Sequence, residues 1–416
     1  MTVSATCSER REVFDMRNMK KSNIDTIGEV PANWIQKRLK YLCTIQTGNE
    51  DTQNADPDGE YPFYVRSPIV ERCNRYTFEG EGILVAGDGA GAGRVFHHVN
   101  GKYAVHQRVY RLANFGFNAD FIYFYLSNIF PNEMDKGSAQ STVPSMRLPM
   151  LMNFPIFLPP QEEAEQIIAY LKSRCTEIDA LSAEIQTQIE TLDAYKRSVI
   201  AEAVTLGLDK NVETKDSGVE WVGEIPASWN VHPVYVYFSE RKNKNYALQE
   251  QNLLSLSYGK IVRKDIDTVG GLLPASFNTY NIVEAGDIII RPTDLQNDKR
   301  SLRTGLVTER GIITSAYIDL APKKGINSAY FHYLLHSFDI QKVFYNMGNG
   351  VRQGLNYSEF SKLMIFAPSR DEQDAIVDYL DKKCSEIEFI TLFLGFQELI
   401  ELSDTSVRRR QIVQNG

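Results

Sequence analysis

The sequence predicts an α+β chain: two mixed, mainly β domains separated by long heptad helices that form an antiparallel coiled coil, with pseudo-twofold symmetry. A duplication carries this expectation. Ile27-Gly28-Glu29-Val30-Pro31-Ala32-Asn33-Trp34 returns as Val222-Gly223-Glu224-Ile225-Pro226-Ala227-Ser228-Trp229, an offset of 195 (222 − 27). Pro159 to Ile178 returns as Pro368 to Ile387, an offset of 209 (368 − 159). The second pairing aligns Glu163 with Glu372, Ile167 with Ile376, Tyr170-Leu171 with Tyr379-Leu380, and Cys175-Thr176-Glu177-Ile178 with Cys384-Ser385-Glu386-Ile387. Units this long are domains rather than solenoid repeats. The offset grows by 14 (209 − 195), so the second copy carries insertions between its opening motif and its closing helix.

The expected order is an extension over 1–23, a domain over 24–158, a helix over 159–215, a second domain over 216–366 and a second helix over 367–416. Pro159-Pro160 stops the first domain, and Glu162, Glu163 and Glu165 suit a helix N-terminus. Ile167, Leu171, Ile178, Leu181, Ile185, Leu192, Tyr195 and Val199 then follow a heptad seam. Ile376, Leu380, Ile387, Ile390 and Leu394 repeat it, until Gly395 weakens the helix and the register slips past Gln397. An amphipathic helix of ~65 Å needs a partner for its seam, and the other copy supplies one.

Within the domains, Gly82-Ile83-Leu84-Val85 and Gly286-Asp287-Ile288-Ile289-Ile290 read as matched core strands. Val99-Asn100-Gly101-Lys102 reads as a hairpin turn between Arg94-Val95-Phe96 and Tyr103-Ala104-Val105. Asp120 to Leu126 and Ala329 to Leu335 read as matched helices whose Phe121, Phe124, Tyr330 and Tyr333 are core residues.

The net charge of −8 is unevenly spread. Residues 20–157 hold 14 basic and 14 acidic side chains, and residues 216–366 hold 16 and 15. The acidity lies in 158–215, with 6 against 11, and in 367–416, with 6 against 10. The domains are therefore free to present basic faces. No apolar run approaches the ~18 residues that span a membrane, and the first twenty residues do not resemble a secretory signal. Five cysteines without metal-type spacing favour a reducing compartment, so a cytoplasmic location is expected. Cys175 and Cys384 read as small packing residues.

No constellation reads as catalytic. Gly89-Ala90-Gly91-Ala92-Gly93 should open a helix if it cradled phosphate; a strand over Arg94 to Val99 is expected instead. The six histidines form no metal or nucleophile cluster, and an acidic-x-Lys nuclease partner is missing. No Asn-Pro-Pro-aromatic methyltransferase motif occurs.

What remains is donor-rich loop chemistry suited to DNA, in which Lys and Arg neutralise phosphates and Arg, Gln and Asn pair with base edges. In the first domain the candidates are Arg66, Ser67, Arg72, Arg75, Arg94, His106, Gln107, Arg108, Lys136, Ser138 and Gln140. In the second they are Arg241, Lys242, Asn243, Lys244, Tyr258, Lys260, Arg291, Asn297, Lys299, Arg300, Arg303, Arg352 and Gln353. These segments diverge most between the copies, as readers of two different half-sites would. The alternative is a coiled-coil scaffold joining two protein-binding domains without a DNA role.

The Gly-Glu-hydrophobic-Pro-x-x-Trp motif at 28–34 and 223–229, the Pro-x-x-acidic-Glu closing segment and the heptad helices resemble the specificity subunit of type I restriction–modification enzymes. The resemblance covers most of residues 24–416. It implies a non-catalytic subunit in which each target-recognition domain reads one half of a bipartite double-stranded DNA target. It implies helices that set the gap and dock modification (methyltransferase) subunits, joined by restriction (translocase/nuclease) subunits. No cofactor is expected on this chain; S-adenosylmethionine, ATP and magnesium are implied on the partners. The first twenty-odd residues have no counterpart in the repeat.

Overall fold

The computed structural model describes residues 18–22, 24, 27–137, 144–266, 276–293, 295, 301–347 and 354–415, with the backbone alone at 133, 135–137, 345, 346 and 401–415. The chain divides into two compact units, residues 1–185 with 395–416, and residues 186–394.

The duplicated motifs clasp each unit closed. Met19–Lys21 pairs with Glu29–Pro31 in the first unit, and Thr214–Asp216 pairs with Glu224–Pro226 in the second. Gly28 and Gly223 between these strands sit at φ 72° and 77°, a left-handed turn that keeps glycine at both places. Lys20 donates to the Ala32 and Trp34 carbonyls, as Lys215 does to those of Ala227 and Trp229. Both tryptophans are fully buried. Trp34 Nε1 donates to Glu163 Oε1 at 3.3 Å, and Trp229 Nε1 to Glu372 Oε1 at 3.1 Å. Beside this bond the strand that follows the clasp pairs antiparallel with the last strand of each domain, Ile35–Arg38 with Pro155–Leu158 and Asn230–Pro233 with Met364–Ala367.

Each unit has its own central four-stranded antiparallel sheet, of the same strand order in both. Its order is Thr44–Thr47, Val109–Ala113, Gly82–Ala86, Phe96–Val99 in the first unit. In the second it is Phe238–Glu240, Ile318–Pro322, Ile288–Ile290, Thr304–Leu306. The third strand of each is apolar throughout because both its faces are covered. Ile83 and Val85 pack on Phe121, Ile122 and Tyr125 of the helix Ala119–Gly137, as Ile288 and Ile290 pack on Tyr330, Phe331 and Leu334 of Ser328–Ile340. The opposite face, Leu84 or Ile289, meets a second layer that differs between the units. In the first it is a sheet ordered Glu71–Cys73, Tyr61–Tyr64, Lys102–Val105, Phe78–Glu79. In the second it comprises a hairpin, Leu254–Ser257 with Lys260–Arg263, and a ladder, Asn281–Val283 with Gly311–Ile313. Ile83 faces Leu112 and Ile288 faces Leu320, so the repeat offset is already 205 (288 − 83) at this strand. Ten of the 14 extra residues (205 − 195) thus precede it, where the second layers diverge.

Two expectations need correction. The Val99–Lys102 turn is present, with Gly101 at φ 106°, but it is no hairpin. Phe96–Val99 belongs to the central sheet and Lys102–Val105 to the second layer, so Val99 meets Tyr103 and Val105 face to face instead of by a ladder. The helices run Gln161–Leu206 and Arg370–Asn415, the latter passing through Gly395 unbroken.

The seam is also divided. Ile167, Leu171, Ile185, Ile376, Leu380 and Ile387 are buried, while Ile178, Leu181, Leu192 and Leu394 are half-buried. Ile390 is 45% exposed and Tyr195 52%, contrary to a continuous buried seam. The first turns of each helix pack on its own domain: Ile167 and Leu171 join the Trp34 core, and Ile376 and Leu380 join the Trp229 core. Within 186–394 the helices run antiparallel, with Lys196 Nζ 2.6 Å from Glu388 Oε1 and Gly207 against Glu372. Within the first unit, Ser182 Oγ donates to Glu398 Oε1 at 2.5 Å. Cys384 is buried and Cys175 partly so, as expected of packing residues. Among the described residues no helix is long and apolar enough to cross a membrane.

Candidate nucleic-acid interface

In the first unit the candidates converge on one end of the two layers. Arg66 follows Tyr61–Tyr64, the turn His106-Gln107-Arg108 carries the chain from Lys102–Val105 into Val109–Ala113, and Asp88 follows Gly82–Ala86. Arg66 Nη1 lies 3.0 Å from Asp88 Oδ1 and Arg108 Nη1 lies 3.1 Å from Asp88 Oδ2, so one carboxylate holds two guanidiniums. Gln107 Nε2 donates to Asp51 Oδ2 at 2.7 Å, and Arg75 Nη2 to the buried Glu50 at 2.8 Å. The glycine run explains the crowding. A Cβ on Gly91 would stand 2.4 Å from the Arg66 carbonyl, and one on Gly87 2.9 Å from that of Arg108. These glycines let three backbones meet.

His106 is a correction. It is 4% exposed, its Nδ1 accepts from the Arg108 backbone N–H at 3.0 Å, and its own N–H bonds to Tyr64 O. Burial first, and then Arg66, lower its pKa, so it stays neutral and shapes the turn. Arg72 is likewise spent on the Gly59 and Glu60 carbonyls. Ser67 Oγ caps the Ile69 N–H at 3.1 Å, and Arg94 lies exposed in the turn after the glycines, not in a strand. Lys136 ends the helix Ala119–Gly137 with its side chain outside the described residues, as are Ser138 and Gln140. The chain returns at the same place, where Ser145 bridges Asp88 and Met146 N–H bonds to Gly87 O.

The second unit uses the equivalent strand end. Arg291 follows Ile288–Ile290 and its N–H bonds to the Arg303 carbonyl at 2.8 Å, closing a loop that holds Asn297, Lys299 and Arg300, all outside the described residues. Leu355 N–H meets Pro292 O at 2.9 Å, the counterpart of Met146 on Gly87, just after Arg352 and Gln353, which are also outside them.

Arg303 itself is corrected. At 0% exposed, it is bound to Thr293 O through Nη1 and to Asp339 through its backbone N–H, so it anchors the loop from beneath. Arg241 is a second correction: Nε and Nη2 bind Asp287 at 2.8 and 3.0 Å, with Asp319 3.8 Å away. Burial, then the Asp287 charge, push Asp319 up to about 8. Lys242 is exposed and pairs with Glu240, Asn243 is exposed, and Lys244 donates to Thr279 O. Burial, then Lys242, lower the Lys244 pKa. Tyr258, 86% exposed at φ 47°, tips the hairpin; the adjacent Lys260 lies 3.6 Å from Glu388, beside the long helix and not at the strand end.

Sequence reading missed the acids Glu50, Asp51 and Asp88, because it sought donors. The one legible signal was Asp88 between Gly87 and Gly89.

Residues 31–191 match the family model described as the type I restriction modification DNA specificity domain. The chain is 24% identical over 190 residues to the type I restriction enzyme EcoDI specificity subunit of Escherichia coli, covering 46% of this chain and 42% of that one. It is 25% identical over 283 residues to the MjaVIII specificity subunit of Methanocaldococcus jannaschii, covering 63% and 64%. The matches thus span less than two thirds of either curated relative. A solved chain from work on complex assembly and conformational transition of the type I R-M system has a TM-score of 0.65 at 14% identity, over 92% of this chain and 98% of that one. That is a likeness of fold.

Proposed function

Because residues 31–191 match the type I DNA specificity domain and the chain is similar to type I specificity subunits, we propose that it is such a subunit and reads a bipartite double-stranded DNA target. Each unit contacts one half-site, and the long helices set the gap and dock the methyltransferase subunits. S-adenosylmethionine, ATP and magnesium belong to the modification and restriction subunits, and base flipping to the former. The chain supplies recognition only.

The observation that carries this reading is a shared frame with two different tops. Strand order, clasp and return segment recur in both units, while the layer and loops at the strand end differ. Two identical readers would require a symmetric target; two different ones suit an asymmetric target. Joining two weak readers in one chain makes the second contact intramolecular, so their discriminations multiply. Arg66, Gln107 and Arg108 supply donors in the first unit; Lys242, Asn243 and the 291–303 loop supply them in the second.

The test is a map of methylated adenines in host DNA with and without this gene. Loss of one bipartite motif with a fixed internal gap supports the reading. Unchanged methylation in a host that expresses the modification subunits refutes it.

A further inference from the structure

We propose that Asp88 determines specificity in the first unit: its carboxylate orients Arg66 and Arg108 for base contacts and holds them off phosphates at other sequences. The proposal rests on the DNA-reading function above.

The geometry separates a fixed acid from two movable bases. Asp88 is 17% exposed, whereas the Arg66 and Arg108 side chains are 45% and 64% exposed. The acid cannot follow the arginines outward. Gly87 N–H is bonded to Arg108 O, Met146 N–H to Gly87 O, and Asp88 bridges Ser145, so its backbone is pinned on both sides. Each guanidinium gives Asp88 a single N–H at 3.0 or 3.1 Å. An arginine has five N–H donors, and two parallel ones suffice for guanine O6 and N7. Both arginines therefore keep an edge for a base while tethered.

The charge acts in the same direction. Two arginines and one aspartate leave a local +1 in place of +2. A backbone phosphate drawn to either guanidinium must approach a carboxylate about 3 Å beyond it. A base edge carries no full charge and so a much smaller penalty, and a cytosine amino group would gain Asp88 as acceptor. The acid thus weakens binding to any backbone while leaving the matched base contact intact, and that difference is specificity. An ordinary surface ion pair would contribute little to anything. This one joins three chain segments at the strand end where the return segment also arrives.

The test uses the full chain and a pool of duplexes of about 30 base pairs with randomised cores. Asp88→Asn should bind the unselected pool about tenfold more tightly, with a salt slope steeper by about one between ~50 and ~200 mM. Its enrichment of the first half-site should fall about tenfold. Asp88→Glu, which keeps the charge on a longer arm, should restore weak pool binding without restoring enrichment. Arg66→Gln should lose enrichment without gaining pool affinity. Asp179→Asn on the helix controls for net charge, and thermal melts verify folding. Wild-type pool affinity and enrichment in Asp88→Asn would overturn the proposal while leaving the DNA-reading function standing. A wild-type chain that enriches no sequence would overturn both.

Discussion

Replacing Arg241 by methionine should destabilise the second unit in a pH-dependent way. Asp287 and Asp319 are each 1% exposed, and Arg241 is the cation between them, at 2.8 and 3.8 Å. Removing one partner of a buried pair costs about 3–5 kcal/mol, because the charge left behind has lost its compensation. Arg241 is 30% exposed and water shares its screening, so the loss should lie near the lower end, about 3 kcal/mol. The sign follows from Asp319, whose folded pKa is raised to about 8 by burial and by Asp287, with Arg241 opposing. A carboxyl raised on folding contributes its stability fully below its unfolded pKa, near 3.9, and loses it as pH rises through the folded value. Without Arg241 the raised pKa rises further. Asp319 therefore adds nothing to the deficit near about pH 5, where it is protonated with or without Arg241, and adds up to about 1.4 kcal/mol by about pH 9, on top of the loss carried by Asp287. Urea unfolding followed through the buried Trp229 measures it. Equal losses at both pH values would refute the argument, as would failure of Asp319→Asn to rescue the variant at about pH 9.

Trp229→Phe should cost about 1.5–3 kcal/mol beyond lost ring area, because Glu372 loses its indole donor. Trp34→Phe should do the same to the first unit through Glu163. Glu372→Gln keeps an acceptor and should cost less; an equal cost would show that the bond is incidental. Lys242→Ala should reduce the salt slope of DNA binding by about one, while Lys260→Ala, beside Glu388, should leave it unchanged. The reverse result would move the interface to the hairpin tip.

The frame was legible because duplication marks what the fold requires. Trp34 with Trp229, and Glu163 with Glu372, are repeats in the sequence, and within each unit the tryptophan donates to the glutamate. The helices, expected over 159–215 and 367–416 from proline stops and apolar periodicity, which are local signals, run Gln161–Leu206 and Arg370–Asn415. The Val99–Lys102 turn misled for the same reason: its turn chemistry is local, whereas its strands pair with partners far away in the chain. Arg241, Arg303 and His106 misled differently. A polar side chain reads alike in sequence whether it faces solvent or a partner folded against it. Their partners, Asp287, the Thr293 carbonyl and the Arg108 N–H, lie up to 46 positions away.

The distribution of the cores explains how one frame can carry two different second layers. Among the described residues, the helix-side cluster gathers 27 buried residues in the first unit and 29 in the second, and includes the clasp tryptophans in both. The cluster joining the central sheet to the second layer holds five in each. At about 1.5–3 kcal/mol for each large apolar side chain buried, most of the stabilisation from apolar burial belongs to the helix side. The second layer can then be lengthened by ten residues, exchange a four-stranded sheet for a hairpin and a ladder, and present new loops, while the frame beneath stays folded. Loops anchored from below, by Gly87 and Asp88 in one unit and by Arg303 in the other, keep a fixed base on which exposed residues can change. Exchanging the second layer between such chains should therefore change the half-site read without moving the clasp.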